Sequence, residues 1–590
     1  MNLLVPPVEV VAANLLAVLL IWCWAILAGV PFAALGRIPL GFAASPLYGL
    51  AYWAAALYLL PFRGGLDAAM VVAAAAGAAA IAIRRRSIIN AFRRRIASPT
   101  TWLLGSLFLS LHTLPLLNYV PIGMDATMHA TSARLIAEHR GPPSDHAPFA
   151  TPLPFAAVNL GLPTLAAAAV RCGASPSAAT LATGPFAYFG FVSALYLVLR
   201  PWLPRFGAAG LATIGFTGSR GLQETICWGG YPTVAGFALG LLAARVLFDL
   251  ARRPSLRTGA AAGFLVAALP LVHGIGAAVW VYVCGPLVLV AGIARVRRWR
   301  PVLAGSAIAG AVGIAVLGAY LTFGRTGADS AAREWTREYQ NGFAPKGEGL
   351  NLLKSAVADI VRWSGDEAAI GCCLGIAGLL ARRRWRGAGA LTLGVLSILA
   401  VVVNSARWIL PGSMALYPER APYLVNFLSA LALALAWRAL PRGSRRRRRT
   451  WAVLLLILVA ASLPKYWGRY QKTALVVARP LAGPNRLSHP AVGGAEYEAL
   501  LWCRDHLDPT RDVVRADYNS AGSYLPAVAG IATTGWHIHC FILPFQTPFF
   551  AGRPPTYRFA LLNLEEGRTS TGEAEVFRNT NVAIYKLTPP

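Results

Sequence analysis

Directly after an apolar run that ends near Asn118 comes Gly123-Met124-Asp125-Ala126-Thr127-Met128-His129. On a helix, Asp125 and His129 stand four residues apart and share a face. A carboxylate just outside a membrane-spanning helix is partly desolvated, so its basicity rises and it can act as a general base or a metal ligand. Asp is also a frequent helix N-cap, and Asp125 can start the following helix while serving either role.

A second candidate is Glu224, within Arg220-Gly221-Leu222-Gln223-Glu224-Thr225-Ile226-Cys227-Trp228-Gly229-Gly230-Tyr231-Pro232, a short segment with aromatics and glycines. Acids at membrane depth are expensive unless used or paired. Glu224 is read either as a functional acid or as the ion partner of Arg220, with Trp228 and Tyr231 as substrate contacts. His273, in Pro270-Leu271-Val272-His273-Gly274, falls at the end of another apolar run and reads as a substrate ligand or a hydrogen-bonded structural residue. Arg407 and Arg420 flank the segment 404–420. A guanidinium fork suits a phosphate or pyrophosphate. The alternatives are snorkelling to headgroups for Arg407 and a local pair with Glu419 for Arg420.

These residues need a membrane to be positioned. The chain has 590 residues, 56% of them hydrophobic and 13% charged, with a mean hydropathy of +0.53. Lipid must be the solvent for most of such a chain. Apolar runs fall at roughly 8–30, 41–60, 66–83, 101–118, 177–198, 205–219, 231–250, 258–272, 275–294, 302–323, 367–381, 387–403, 421–437 and 450–463. The expectation is therefore an α-helical polytopic membrane protein of about 13 or 14 transmembrane helices. Residues 1–463 form the membrane domain. After 464 the composition turns polar, and 464–590 is expected to be an α/β domain, with Glu496–His506 helical and Asp512–Asp517 and Asn581–Leu587 as strands.

The net charge of +29 sits in short arginine clusters between the runs: Arg84–Arg86 with Arg93–Arg95, Arg252 to Arg257, Arg295 to Arg300, Arg382 to Arg386, and Arg442 to Arg449. That is the positive-inside pattern of cytoplasmic loops, not an aromatic-interleaved basic face for nucleic acid. With the clusters held inside, the outer segments are about 119–176, 220–230, 324–366, 404–420 and everything after about 464. Of the 25 Asp and Glu residues only Asp249 then falls on the cytoplasmic side, although the acids took no part in setting the topology. The polar chemistry is expected to face outward. The weakly apolar stretch Phe155–Val170 is expected to lie along the membrane surface as an amphipathic helix.

The first run lacks the basic start of a cleavable signal and reads as a retained helix. Spacing alone does not pair Cys503 with Cys540, and Trp536-His537-Ile538-His539-Cys540 is a weak metal signal that favours a structural role. The loop 324–366, with Arg333, Glu334, Trp335, Arg337 and Lys354, is long and charged but carries no motif. No Walker A, GxSxG or kinase signature is present.

On Asp125 after the first core span, the long first outer segment, Glu224 in the second, and the trailing α/β domain, the chain resembles the GT-C class of polyprenyl-phosphate-sugar-dependent glycosyltransferases. The resemblance covers most of residues 101–590. The chain lacks an acidic doublet at Asp125 and a WWDxG-type signature in its C-terminal domain, departures from oligosaccharyltransferase proper. The resemblance implies a multi-pass protein of a cell membrane, expected to be a bacterial plasma membrane. It would transfer a sugar from a polyprenyl-phosphate-linked donor of undecaprenyl type to a glycan, lipid or protein acceptor on the extracytoplasmic face. Asp125 would be the base of an inverting reaction and Glu224 would position substrate or share a divalent cation. Arg420, with Arg407, would hold the leaving phosphate, with His129, His273, Trp228 and Tyr231 as further substrate contacts. No other cofactor is implied. The competing readings are a transporter, flippase or polymerase handling lipid-linked glycans, which would place charges at mid-span, and a non-catalytic partner presenting its C-terminal domain.

Overall fold

The computed structural model describes residues 6–35, 44–95, 98–121, 123–146, 148–154, 160–293, 299–305, 344–407, 416–439, 492–516, 520–534, 559–563 and 574–587, with a few isolated positions besides. Long alanine- and leucine-rich stretches form helices because in lipid every backbone polar group must be satisfied within the segment. The first four are α1 (Val8–Leu35), α2 (Ser45–Leu59), α3 (Gly65–Arg95) and α4 (Pro99–Leu116). A Cβ on Gly49 would stand 2.9 Å from the Cα of Ala25, so α1 and α2 cross backbone against backbone, the small-residue packing that membranes favour. Indole Nε1 of Trp53, buried in this crossing, donates to the Trp24 carbonyl at 3.2 Å.

Next come α5 (Met124–His139), a hairpin of β1 (Asp145–His146) and β2 (Ala150–Pro154), α6 (Gly161–Arg171), α7 (Pro176–Leu199), α8 (Arg205–Thr217), α9 (Arg220–Trp228), α10 (Tyr231–Arg252) and α11 (Leu256–Ile293). The expectation of a surface-lying amphipathic helix is corrected here: in α6 every residue from Gly161 to Ala169 is buried. Its small side chains let it slot inside the bundle instead of offering one face to a headgroup layer. α11 is broken at His273, whose φ of −165° and ψ of 102° are not helical. A Cβ on Gly236 of α10 would meet His273, and one on Gly240 would meet the Trp280 ring. Along α10 the sequence rises while the partner number also rises, so the second half of α11 runs parallel to α10. The first half follows α10 through a short turn, so the chain reverses at His273 and the two apolar runs remain two crossings.

After α11 the chain forms α12 (Gly349–Ser364), α13 (Asp366–Ala381), α14 (Trp385–Arg407) and, after a 3-10 turn at Ala421–Leu424, α15 (Val425–Ala439). Among the described residues seven helices are long and apolar enough to cross a membrane, or eight if α12 and α13, bent by 107°, count as one span. The difference from the expected number has physical reasons. α2, with 15 residues, and α8, with 13, are short; α4 carries His112 and Pro115; α11 merges two runs; and 450–463 and most of 302–323 lie outside the described residues.

The C-terminal domain is mixed α/β. Helix α16 (Gly494–His506) covers a five-stranded sheet of β3 (Val513–Arg515), β4 (Ala532–Thr533), β5 (Phe559–Asn563), β6 (Ala574–Arg578) and β7 (Val582–Lys586), in the order β4-β3-β5-β7-β6. β3 runs parallel to β4 and β5, and β7 antiparallel to β5 and β6. A short turn of helix, α17 (Leu525–Val528), links β3 to β4. The domain's apolar core holds Leu500, Cys503, Val514, Tyr524, Leu561 and Ile584, and also Val120 from the segment between α4 and α5.

The start of α3 meets the ends of α5 and α6: Asp67 pairs with Arg171 at 3.2 Å and Arg140 at 3.8 Å, and the Arg140 carbonyl accepts from Gly64 and Leu66. Helix α10, 22 residues and about 33 Å long at 1.5 Å per residue, starts at Tyr231 among the candidate residues and ends at Arg252. Near its far end Gly259 meets Pro301 and Gly305.

Candidate functional site

The start of α5 is set by Gly123, the N-cap, at φ +99°. Asp125 is the second helical residue and not the cap. It lies half-buried in the first turn, where the helix dipole favours an anion. His129, one turn on and on the same face, is buried. Gly229, at φ +83°, ends the turn after α9. A Cβ on Gly123 would fall on the Gly229 nitrogen and the Trp228 carbonyl carbon, so Asp125 stands two residues after a point where two loops touch main chain to main chain.

Trp228 carries this contact to the next group. The Arg420 guanidinium lies over the Trp228 ring at 5.2 Å and over Tyr417 at 4.9 Å. Arg420 is 7% exposed, and its Nε is 3.6 Å from the Glu419 carboxylate. Burial raises the Glu419 carboxyl above its ordinary range, although the neighbouring Arg420 pulls it down. Arg420 Nη1 stands 3.1 Å from His273 Nε2.

The Gly276 backbone N–H donates to His273 Nδ1 at 2.8 Å. Thr233 Oγ1 lies 3.3 Å and Arg420 Nη1 3.1 Å from His273 Nε2. The Arg420 guanidinium and the His273 imidazole thus meet at one buried point, and a guanidinium fork there suits an oxyanion. His129 lies within electrostatic reach of the same ring. Tyr231, buried at the start of α10, packs its ring on Gly184.

Of the residues expected from sequence, the structure brings Asp125, His129, Trp228, Tyr231, His273 and Arg420 to one neighbourhood. Glu224 instead pairs with Arg220 at 2.5 Å on the same helix face, both partners about one-third exposed. Arg407 ends α14, and its side chain lies outside the described residues. So do residues 324–343, Trp536 to Cys540, and Asp517 at the end of Asp512–Asp517; Cys503 is a buried free thiol. Sequence reasoning missed Thr233, Tyr417 and Tyr524. The Tyr524 hydroxyl donates to the Pro121 carbonyl at 2.7 Å, and its burial raises the phenol's pKa, keeping it a donor. Among the described residues no three His, Cys, Asp or Glu side chains gather to hold a metal ion.

No family model and no curated protein matches the chain. Among solved structures, the chain is similar to an archaeal oligosaccharyltransferase. That protein, from Archaeoglobus fulgidus, matches in its apo form with a TM-score of 0.44 and 15% identity, over 80% of this chain and 70% of that one. Its complex with zinc and sulfate gives 0.44 and 13%, over 78% and 68%. Its complex with an inhibitory peptide and a dolichol-phosphate gives 0.39 and 14%, over 81% and 70%. With TM-scores below one half, the functional argument rests on this chain's own residues.

Proposed function

We propose that the chain is a membrane glycosyltransferase that moves a sugar from a polyprenyl-phosphate donor to a glycan, lipid or protein acceptor at the extracytoplasmic face. The observation that carries this reading is the buried Arg420 guanidinium, 3.1 Å from His273 Nε2 and stacked over Trp228, beside the turn that leads into α5 and Asp125. Donors held in a water-poor site stabilise charge that develops during reaction. In the proposed step the acceptor oxygen or nitrogen attacks the anomeric carbon and its proton passes to the Asp125 carboxylate. The bond from that carbon to the phosphate oxygen breaks, and its electron pair stays on the phosphate facing Arg420 and His273. Attack opposite the leaving group gives inversion. No nucleotide needs to cross the membrane, because the product is a lipid phosphate.

The test uses undecaprenyl phosphate, the product common to every sugar, with the full chain in lipid nanodiscs. Wild type is expected to bind it, and Asp125→Asn to bind it equally while transferring no sugar from undecaprenyl-phosphate-linked hexoses or pentoses. A fully active Asp125→Asn, or a wild type without affinity for undecaprenyl phosphate, overturns the reading.

A further inference from the structure

The segment that leads to Asp125 is built into the C-terminal domain. The Tyr119 ring packs on Tyr497 of α16 at 5.2 Å between centroids. Val120, one residue on, is 5% exposed and belongs to the same apolar core as Leu500, Val514 and Ile584. The next carbonyl, that of Pro121, accepts the Tyr524 hydroxyl at 2.7 Å, and the Gly123 carbonyl lies 3.5 Å from the same oxygen. Tyr524 itself is fully buried. Its turn is locked locally: Ser520 Oγ accepts from the Gly522 N–H and the Ser523 hydroxyl donates to the Ser520 carbonyl.

A second grip lies further along α5. The Arg134 guanidinium, held by Glu138 at 2.7 Å, covers Gly530 so closely that a Cβ there would fall among its nitrogens. Arg134 Nη1 also reaches the Pro526 carbonyl at 3.5 Å. The stretch 524–530 therefore holds α5 at its entry and along its length, while Gly229 closes the entry from the other side.

We infer that Tyr524 is a positioning residue for Asp125, and that the C-terminal domain is part of the catalytic unit through it. Asp125 stands two residues past Gly123, in the first turn of α5. The hydroxyl of Tyr524 ties the Pro121 carbonyl, just before this turn, to a folded core. Misplacement of a reacting group by about 1 Å can cost about a hundredfold in rate, so one hydrogen bond at this point acts on turnover, not on donor affinity. The inference rests on the proposed role of Asp125.

The test is Tyr524→Phe, which keeps the ring in the core and removes the donor. Turnover, read as undecaprenyl phosphate released from undecaprenyl-phosphate-linked sugars, is expected to fall roughly tenfold or more, within the range that misplacing a reacting group costs. Affinity for undecaprenyl phosphate should stay near wild type, and the unfolding midpoint should fall only by the few degrees that one unsatisfied buried acceptor costs. Hydrogen exchange of the Gly123 to Thr127 amides should quicken while the α7 amides do not change. Tyr497→Ala, which removes the ring packed on Tyr119, should likewise lower turnover and quicken the Gly123 to Thr127 amides, with a lower unfolding midpoint from the lost packing, and decides the matter if Tyr524→Phe accumulates poorly. Unchanged turnover together with unchanged exchange overturns the inference. Exchange needs no substrate, so a wild type that transfers no sugar sinks the proposed function while the coupling is still tested.

Discussion

Gly123 and Gly229 touch main chain to main chain, both with positive φ: a Cβ on Gly229 would stand 2.5 Å from the Ala126 nitrogen. Neither residue tolerates a side chain, for steric and conformational reasons at once. Left-handed backbone costs a non-glycine residue about 1–2 kcal/mol, and the overlap adds to that. Gly123→Ala and Gly229→Ala should each lower the unfolding midpoint and remove sugar transfer. Gly105→Ala, where nothing lies within 4 Å of the added carbon, should leave both unchanged.

Arg420 contributes more than charge. Its plane lies over two aromatic rings, and its Nη1 stands 3.1 Å from His273 Nε2. Arg420→Ala should weaken undecaprenyl phosphate binding roughly 10- to 100-fold, the range for a hydrogen bond to a charged group. Arg420→Lys keeps the charge but loses the fork and the stacking, and should recover only part of the affinity. Unchanged binding in both variants would remove Arg420 from the donor site.

Thiol reactivity separates core from surface. Cys503 is buried and its pKa is pushed up to about 12 by burial, which suppresses the thiolate that reacts. Cys172, after α6, is exposed. A membrane-impermeant maleimide applied outside sealed cells should label Cys172, and Cys503 only after denaturation. Labelling of Cys172 from the cytoplasmic side alone would invert the expected topology.

Glu419 gives stability a pH dependence of definite sign. Burial raises its folded-state pKa above the ordinary value of 4.5, so the folded chain binds this proton more tightly than the unfolded one. Stability from this group is then full below the ordinary pKa and is lost as pH rises through the raised one. Glu419→Gln should flatten that decline in unfolding midpoints measured between pH 5 and pH 8. A constant offset in either direction, from the altered surroundings of Arg420, is not the readout; an unchanged slope would count against the shift.

Much of the site was legible because its residues are chemically out of place in an apolar chain. Asp125, Glu224, His273 and Arg420 each stand at the edge of an apolar run, and the four-residue spacing of Asp125 and His129 survives as one face of α5. The i,i+4 pairing of Arg220 with Glu224 was equally visible as the alternative to function. Tyr524 was not legible. Its role depends on a contact spanning most of the chain, and its surroundings in sequence, Ser520-Ala521-Gly522-Ser523-Tyr524-Leu525-Pro526, show only a buried aromatic with a polar tip. The α6 helix misled for a related reason: Ala166 to Ala169 fit a headgroup boundary or a tight interior equally well, and only the neighbours α2, α5 and α7 decide.

Val120 shares its core with Ile584, and that pairing sets a schedule for biogenesis. A nascent chain can insert its helices as they emerge, since the N-terminal parts of a protein generally fold first during synthesis. The turn that begins Asp125 still has no core to anchor it until the last strand has been synthesised and has paired with β5. Chains interrupted or clipped before β7 are thus expected to reside in the bilayer with this turn unanchored.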